Sequence, residues 1–146
     1  MRVYVYWFLA AVEDAAAIRS VATTKARQRQ EWPRLVVPGV DGPDMNKLER
    51  LARPKRAKGS TKFGGVLLDR SKLTDTPFTA VSQIGPEFVQ LLAALEAPAI
   101  ADLGGAWAKA IDGVPEDGAV LLVGQLAEFA RQSAQVGLPV LELVVM

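Results

Sequence analysis

The sequence predicts an α/β or α+β domain, a mixed sheet of about five strands with helices packed on its faces. Three observations predict it. Runs near both ends, "VYVYWFL" at 3–9 and "VLELVV" at 140–145, are apolar on both strand faces, as strands covered on two sides are. Between 86 and 137 three successive stretches carry apolar residues at helical spacing. No repeat and no long linker divides the 146 residues, so residues 1–146 read as a single globular domain with one core.

The elements follow in order. In 3–9, Val3, Val5, Trp7 and Leu9 alternate with Tyr4, Tyr6 and Phe8, a β-branched and aromatic mix that favours a central strand. Glu13 and Asp14 then open a helix with Ala15, Ile18 and Ala22 at helical spacing. Arg19, Lys25, Arg27 and Arg29 load its later turns, the sign the helix dipole favours there. It ends before Pro33. Residues 34–37 read as a short strand stopped by Pro38-Gly39. A short helix begins at Pro43, with Met45, Leu48 and Ala52 on one face, and ends at Pro54. Strands are expected at 66–69 and within 78–84.

Pro86 starts the next helix, whose stripe is Phe88, Leu91, Leu92 and Leu95. Beyond Pro98, Ile100, Leu103, Trp107 and Ala110 mark another helix with Gly104-Gly105 in its middle. Two helical glycines cost roughly 1 kcal/mol each relative to alanine, so either another backbone approaches closely there or the helix is two pieces. A third helix enters at Pro115-Glu116-Asp117, buries Leu122, Leu126, Phe129 and Ala130, and ends at Gly137. A rival reading makes "AVLLV" at 119–123 a buried strand. The final run closes the chain as a strand.

Composition excludes more chemistry than it suggests. The chain has no cysteine and no histidine, which removes disulfides, thiolate metal sites, Ser-His-Asp and Cys-His nucleophile pairs, and zinc centres built on those ligands. Carboxylates, lysines, hydroxyls or an oxygen-bound hard cation remain for catalysis. The opening "MRVYVYWFLAAVEDAAA" resembles a secretory leader in having one arginine, an apolar run and an alanine cluster. Glu13 and Asp14 beside the cleavage position argue against it. The longest apolar run, 3–12, is too short for a membrane span. A cytoplasmic protein, without membrane or cofactor, is expected, and the alanine and valine richness suggests a bacterial source.

Charge is uneven along the chain. Residues 1–72 hold fifteen of the seventeen Lys and Arg but seven of the sixteen Asp and Glu, so that part is near +8 and the remainder near −7. Either the two parts neutralise each other, between copies in a homo-oligomer or within one chain, or the asymmetry serves an electrostatic partner. The stretch "RLARPKRAKGSTKFGG" at 50–65 contains Arg50, Arg53, Lys55, Arg56, Lys58 and Lys62 with no acid. Those cations could neutralise several phosphates of a nucleic acid, with Phe63 stacking on a base. The competing reading is a flexible, solvated basic loop at 53–65, with Phe63 covering the core edge. Gly59-Ser60-Thr61-Lys62 lacks the order of a phosphate loop.

The acidic pairs Glu13-Asp14, Asp41/Asp44 and Glu116-Asp117 fall at helix starts, where carboxylates cap free N–H groups. Trp7, Trp107 and the tyrosines are patterned for the core. Trp32, beside Arg27 and Arg29, is the aromatic placed to anchor a partner. The expected function is non-enzymatic: stoichiometric binding to a partner protein, in the manner of immunity or antitoxin-type inhibitors or of adaptors. The alternative is a nucleic-acid-binding module using 50–62. Candidate contacts for either are Arg27, Arg29, Trp32, Arg50, Arg53, Lys55, Arg56, Lys58, Lys62 and Phe63.

Overall fold

A computed structural model describes residues 4–20, 32–53, 66–68 and 79–145. Along the chain run β1 (Tyr4–Leu9), a 3-10 turn (Val12–Asp14), α1 (Ala15–Ser20), β2 (Arg34–Val37), α2 (Gly42–Ala52), β3 (Val66–Leu68), β4 (Thr79–Gln83), α3 (Pro86–Ala93), α4 (Ala97–Ala110), α5 (Glu116–Val136) and β5 (Val140–Val145). The strands form one sheet in the order β2-β1-β5-β4-β3. Four of them, β2, β1, β5 and β4, pair in regular register, while the three-residue β3 joins the edge with a register shift.

The fold is α+β, and the expectation of a mixed sheet needs correction. Every described pairing is antiparallel: β1 with β2, β1 with β5, β4 with β5 and β3 with β4. A mixed sheet would contain at least one parallel pair. Here α3, α4 and α5 instead form an excursion between two strands, β4 and β5, that are themselves antiparallel neighbours. The first and last strands also pair, Tyr4 opposite Val145 through Leu9 opposite Val140.

Pleating divides the apolar residues between two faces. Val5, Trp7 and Leu9 of β1 join the larger core beneath α2 to α5, with Met45, Phe88, Trp107 and Leu126. Tyr6 and Phe8 point the other way, with Leu141, Leu143 and Val81, and are covered by Ala15 and Ile18 of α1. The Arg34 guanidinium lies 5.8 Å from the Tyr6 ring centre on that side. β1 is thus covered on both faces, as its composition requires.

Local chemistry explains the helix ends. Asp41 precedes α2 in an extended conformation; its carboxylate accepts from Asp44 N at 2.9 Å while Asp44 Oδ2 accepts from Asp41 N at 3.2 Å, a reciprocal capping box. α4 is one continuous helix through Gly104-Gly105, because α5 touches it there. A Cβ on Gly104 would lie 2.6 Å from Val120 Cα, so glycine is what lets the two backbones meet. The "AVLLV" segment belongs to α5, which overturns its strand alternative: Ala119, Leu122 and Val123 are buried while Leu121 is 65% exposed, a helical and not a twofold alternation. Gly137 ends α5 at φ 72°, a left-handed cap.

The helix expected to run from Glu13 to Pro33 is seen as α1, through Ser20; Arg27 and Arg29 lie outside the described residues. No helix among the described residues is long and apolar enough to cross a membrane.

Candidate functional site

Among the described residues, a concavity lies at one end of the helical layer. A groove of about 680 Å³ opens between α3 and the last turns of α5, floored by the β4–α3 and α5–β5 junctions. α5, at 1.5 Å per residue over its 21 residues, is about 31 Å long, and α4 meets it near Val120. Its C-terminal turns are left to α3. There the two helices present Ala93, Ala94, Ala130 and Ala134 to the groove. Side chains this short cannot fill the space, and the trough stays open.

Polar contacts hold its walls. The Arg131 guanidinium crosses from α5 to the end of α3, donating from Nε to the Ala93 carbonyl at 3.1 Å and from Nη2 to the Leu95 carbonyl. This satisfies carbonyls that a helix C-terminus leaves free and fixes the helix separation. Ser133 Oγ donates to the Leu138 carbonyl, which pins the α5–β5 turn. Ile84 N donates to Val140 O at 2.9 Å and ties the floor together. The lining carries no charged side chain; Gln83 and Gln90 supply its amides.

The described helices α3 to α5 carry more exposed acids than cations. On the α3–α5 layer Glu87, Glu96, Asp102, Asp112, Glu116, Asp117 and Glu128 are exposed, against Lys109 and the half-buried Arg131. Glu116 and Asp117 stand in the first turn of α5, the end away from the groove, and Glu128 lines a separate concavity with Arg34, Phe129 and Gln132.

The basic candidates distribute differently. Arg50 is exposed in the last turn of α2. Arg53 is not free: its Nε lies 2.9 Å from Glu49 Oε1, and that carboxylate is 7% exposed. Burial raises the Glu49 carboxyl above its ordinary range, and Arg53 and then Arg50 draw it back. Lys55, Arg56, Lys58, Lys62 and Phe63, and with them residues 54–65 of the loop expected at 53–65, lie outside the described residues. Trp32 is half-buried, edge-on to Phe8 with ring centres 6.4 Å apart, so much of its ring serves the smaller core. Of the ten candidate contacts, the described ones are Trp32, Arg50 and Arg53, and none of them lines the groove.

One group that pattern reading passed over is Glu142. It sits in β5 at 4% exposure, on the helix-covered face opposite Trp7 and Ser82, and its Oε2 accepts from Trp7 Nε1 at 3.3 Å. Burial pushes its carboxyl up to about 7, the Trp7 hydrogen bond pulling the other way. A lone acid within "VLELVV" was the available signal, since acids are almost never fully buried unless paired. Glu142 does not line the groove, and no cluster of three or more acids suited to a metal ion occurs among the described residues. The groove residues left a fainter trace, alanines at i and i+4 beside the apolar stripe.

No protein-family model matches the chain, and no curated protein or solved structure is significantly similar to it.

Proposed function

We propose that this protein works in the cytoplasm by stoichiometric binding to a partner protein, as immunity or antitoxin-type inhibitors and adaptors do. The observation that carries the reading is the groove between α3 and α5. It is an open, uncharged trough whose walls are braced by Arg131 and Ser133, and preorganised apolar concavities favour binding because little ordering cost remains to be met. The surplus of exposed acids over cations on α3 to α5 supports electrostatic steering of a partner. A chain without imidazole or thiol also lacks the side chains most often used for acid–base and nucleophilic work.

The test is native mass spectrometry and size-exclusion chromatography of the protein purified from its own host. A discrete complex with one other polypeptide at fixed stoichiometry is the expected result. Turnover of a substrate by the isolated chain, or a small cofactor copurifying in equal amount, would overturn the reading. Salt-sensitive binding to generic DNA or RNA in place of a protein would transfer the function to the basic stretch 50–62.

A further inference from the structure

The geometry points to the free edge of β2 as a docking site for an extended segment of the partner, added there as a further strand. This surface is separate from the α3–α5 groove, and the inference rests on the partner-binding reading only in assigning the segment to a partner protein. Among the described residues β2 pairs with β1 alone and ends the sheet on that side. The ladder fixes where its backbone groups point. Leu9 N donates to the Pro33 carbonyl at 3.1 Å, in register with Phe8 opposite Arg34. Bonded and non-bonded positions alternate in an antiparallel pair, so Leu35 and Val37 turn their amides to β1 while Arg34 and Val36 turn theirs away. Each of the latter offers one N–H and one C=O to the open edge. Pro38, the next outward position, has no N–H, and the row of donors ends there.

The flanks of this edge select a strand over a helix. On the helix-covered side α5 presents Leu121, Gln125, Glu128 and Gln132, spaced i, i+4, i+7 and i+11, as one exposed stripe. Two hollows lie between that stripe and the β2 segment. One, of about 420 Å³, is walled by Leu35, Phe129 and Glu128; the other, of about 370 Å³, by Pro38, Val114 and Leu121. Gln125 lines both, so the two meet along the seam. An extended chain would pair with the outward amides of Arg34 and Val36 and send every second side chain into the hollows. A helix spends its backbone groups on itself and has none to offer along an edge. On the opposite face Val36 is 42% exposed, and the Arg34 guanidinium lies over the Tyr6 ring. Edges that avoid pairing carry charges or bulges. The other end of the sheet follows that rule, since β3 has three residues and a register shift; β2 pairs regularly along its length.

Amide hydrogen exchange on the full chain gives the first test. In the free protein the Arg34 and Val36 amides should exchange at least about tenfold faster than those of Leu35 and Val37. Equal protection of all four would show the edge already paired and overturn the inference. The second test uses a panel of labelled peptides that alternate threonine with valine, leucine or phenylalanine, followed by anisotropy. Saturable one-to-one binding by at least one of them is expected, with the Arg34 and Val36 amides becoming protected in the complex. N-methylation of alternate peptide amides should abolish binding in one phase and be tolerated in the other, because only every second amide faces the edge. Gln125→Trp, at an exposed position lining both hollows, should weaken the peptide about tenfold with the melting temperature unchanged. Val36→Pro, which removes a donor turned away from β1, should weaken it similarly. No binding by any peptide, equal tolerance of both methylation phases, or unchanged affinity in Gln125→Trp overturns the inference. So does protection of Arg34 and Val36 that grows with protein concentration alone, which would make the occupant a second copy of this chain. If a host partner is retained equally by wild type and Gln125→Trp, the partner-binding reading survives and the edge assignment falls.

Discussion

Among the described residues, the two faces of the sheet carry clusters of different size. Beneath α2 to α5 the core joins twenty buried residues from strands and helices alike; on the opposite face the described cover is α1 and Trp32, over a cluster of nine. The same strand, β1, serves both, Trp7 pointing to one and Phe8 to the other. The thicker face carries the interhelix polar ties: Trp107 Nε1 to the Asp44 carbonyl at 2.8 Å, Lys47 Nζ to the Ala110 carbonyl at 3.1 Å, and Arg131 to the end of α3. It also carries the buried acid Glu142 and the groove. The difference teaches that the helix-covered face fixes the shape of the molecule, and that whatever binds in the groove meets a surface braced from within.

Truncation on each face breaks the comparison most directly. Trp107→Ala removes a fully buried ring and the α2–α4 tie at once, and should cost about 3–5 kcal/mol. Ile18→Ala on the other face removes a smaller, fully buried side chain and should cost about 2 kcal/mol. Urea denaturation of the two variants checks this, and equal losses would mean that the faces are equally rigid.

The second prediction turns on Glu142, whose carboxyl titrates at about 7 when folded against an ordinary 4.5. Between those values the folded state holds a proton that the unfolded chain has released, so stability falls as pH rises. The contribution is complete below about pH 4.5, is lost through pH 7, and amounts to something on the order of 3 kcal/mol. Glu142→Gln, which keeps an acceptor for Trp7, should flatten that slope and exceed wild type in stability at pH 8. A wild-type profile flat from pH 5 to 8 would show the acid to be better solvated than its 4% exposure implies.

Next comes the contact of α4 with α5. Gly104→Ala places a methyl 2.6 Å from Val120 Cα, and separating the helices should cost about 1–3 kcal/mol. Gly113→Ala is no neutral control, since Gly113 has φ 85°, whereas Ala106→Ser on the exposed side of α4 should leave the melting temperature alone. The smallest effect belongs to the capping box, where Asp41→Ala should cost about 1 kcal/mol. Thermal melts near neutral pH resolve both.

Much of this architecture was legible in the linear pattern because its signals are local. Twofold alternation at 3–9, prolines at the starts of α3 and α4, the Asp41/Asp44 pair and the glycine after Val136 each act within a few residues. The expectation of a mixed sheet failed because strand direction depends on partners far apart in sequence. The groove was illegible for a similar reason. Its alanines lie on two helices some forty residues apart, and nothing in either helix states that the other faces it.

The sequence by itself determined most of the order of strands and helices, which residues seek burial, and that neither imidazole nor thiol chemistry is open to this chain. Backbone propensity, capping and apolar periodicity act over a single turn or pleat and need no distant partner. Tertiary structure alone decided that β1 and β5 pair antiparallel, that Gly104 serves a backbone contact, that Glu142 is sealed beside Trp7, and that four alanines leave an open trough between α3 and α5. Each of these depends on which segments are brought together when one face of a sheet must be covered, and that choice is made by the packing of the whole.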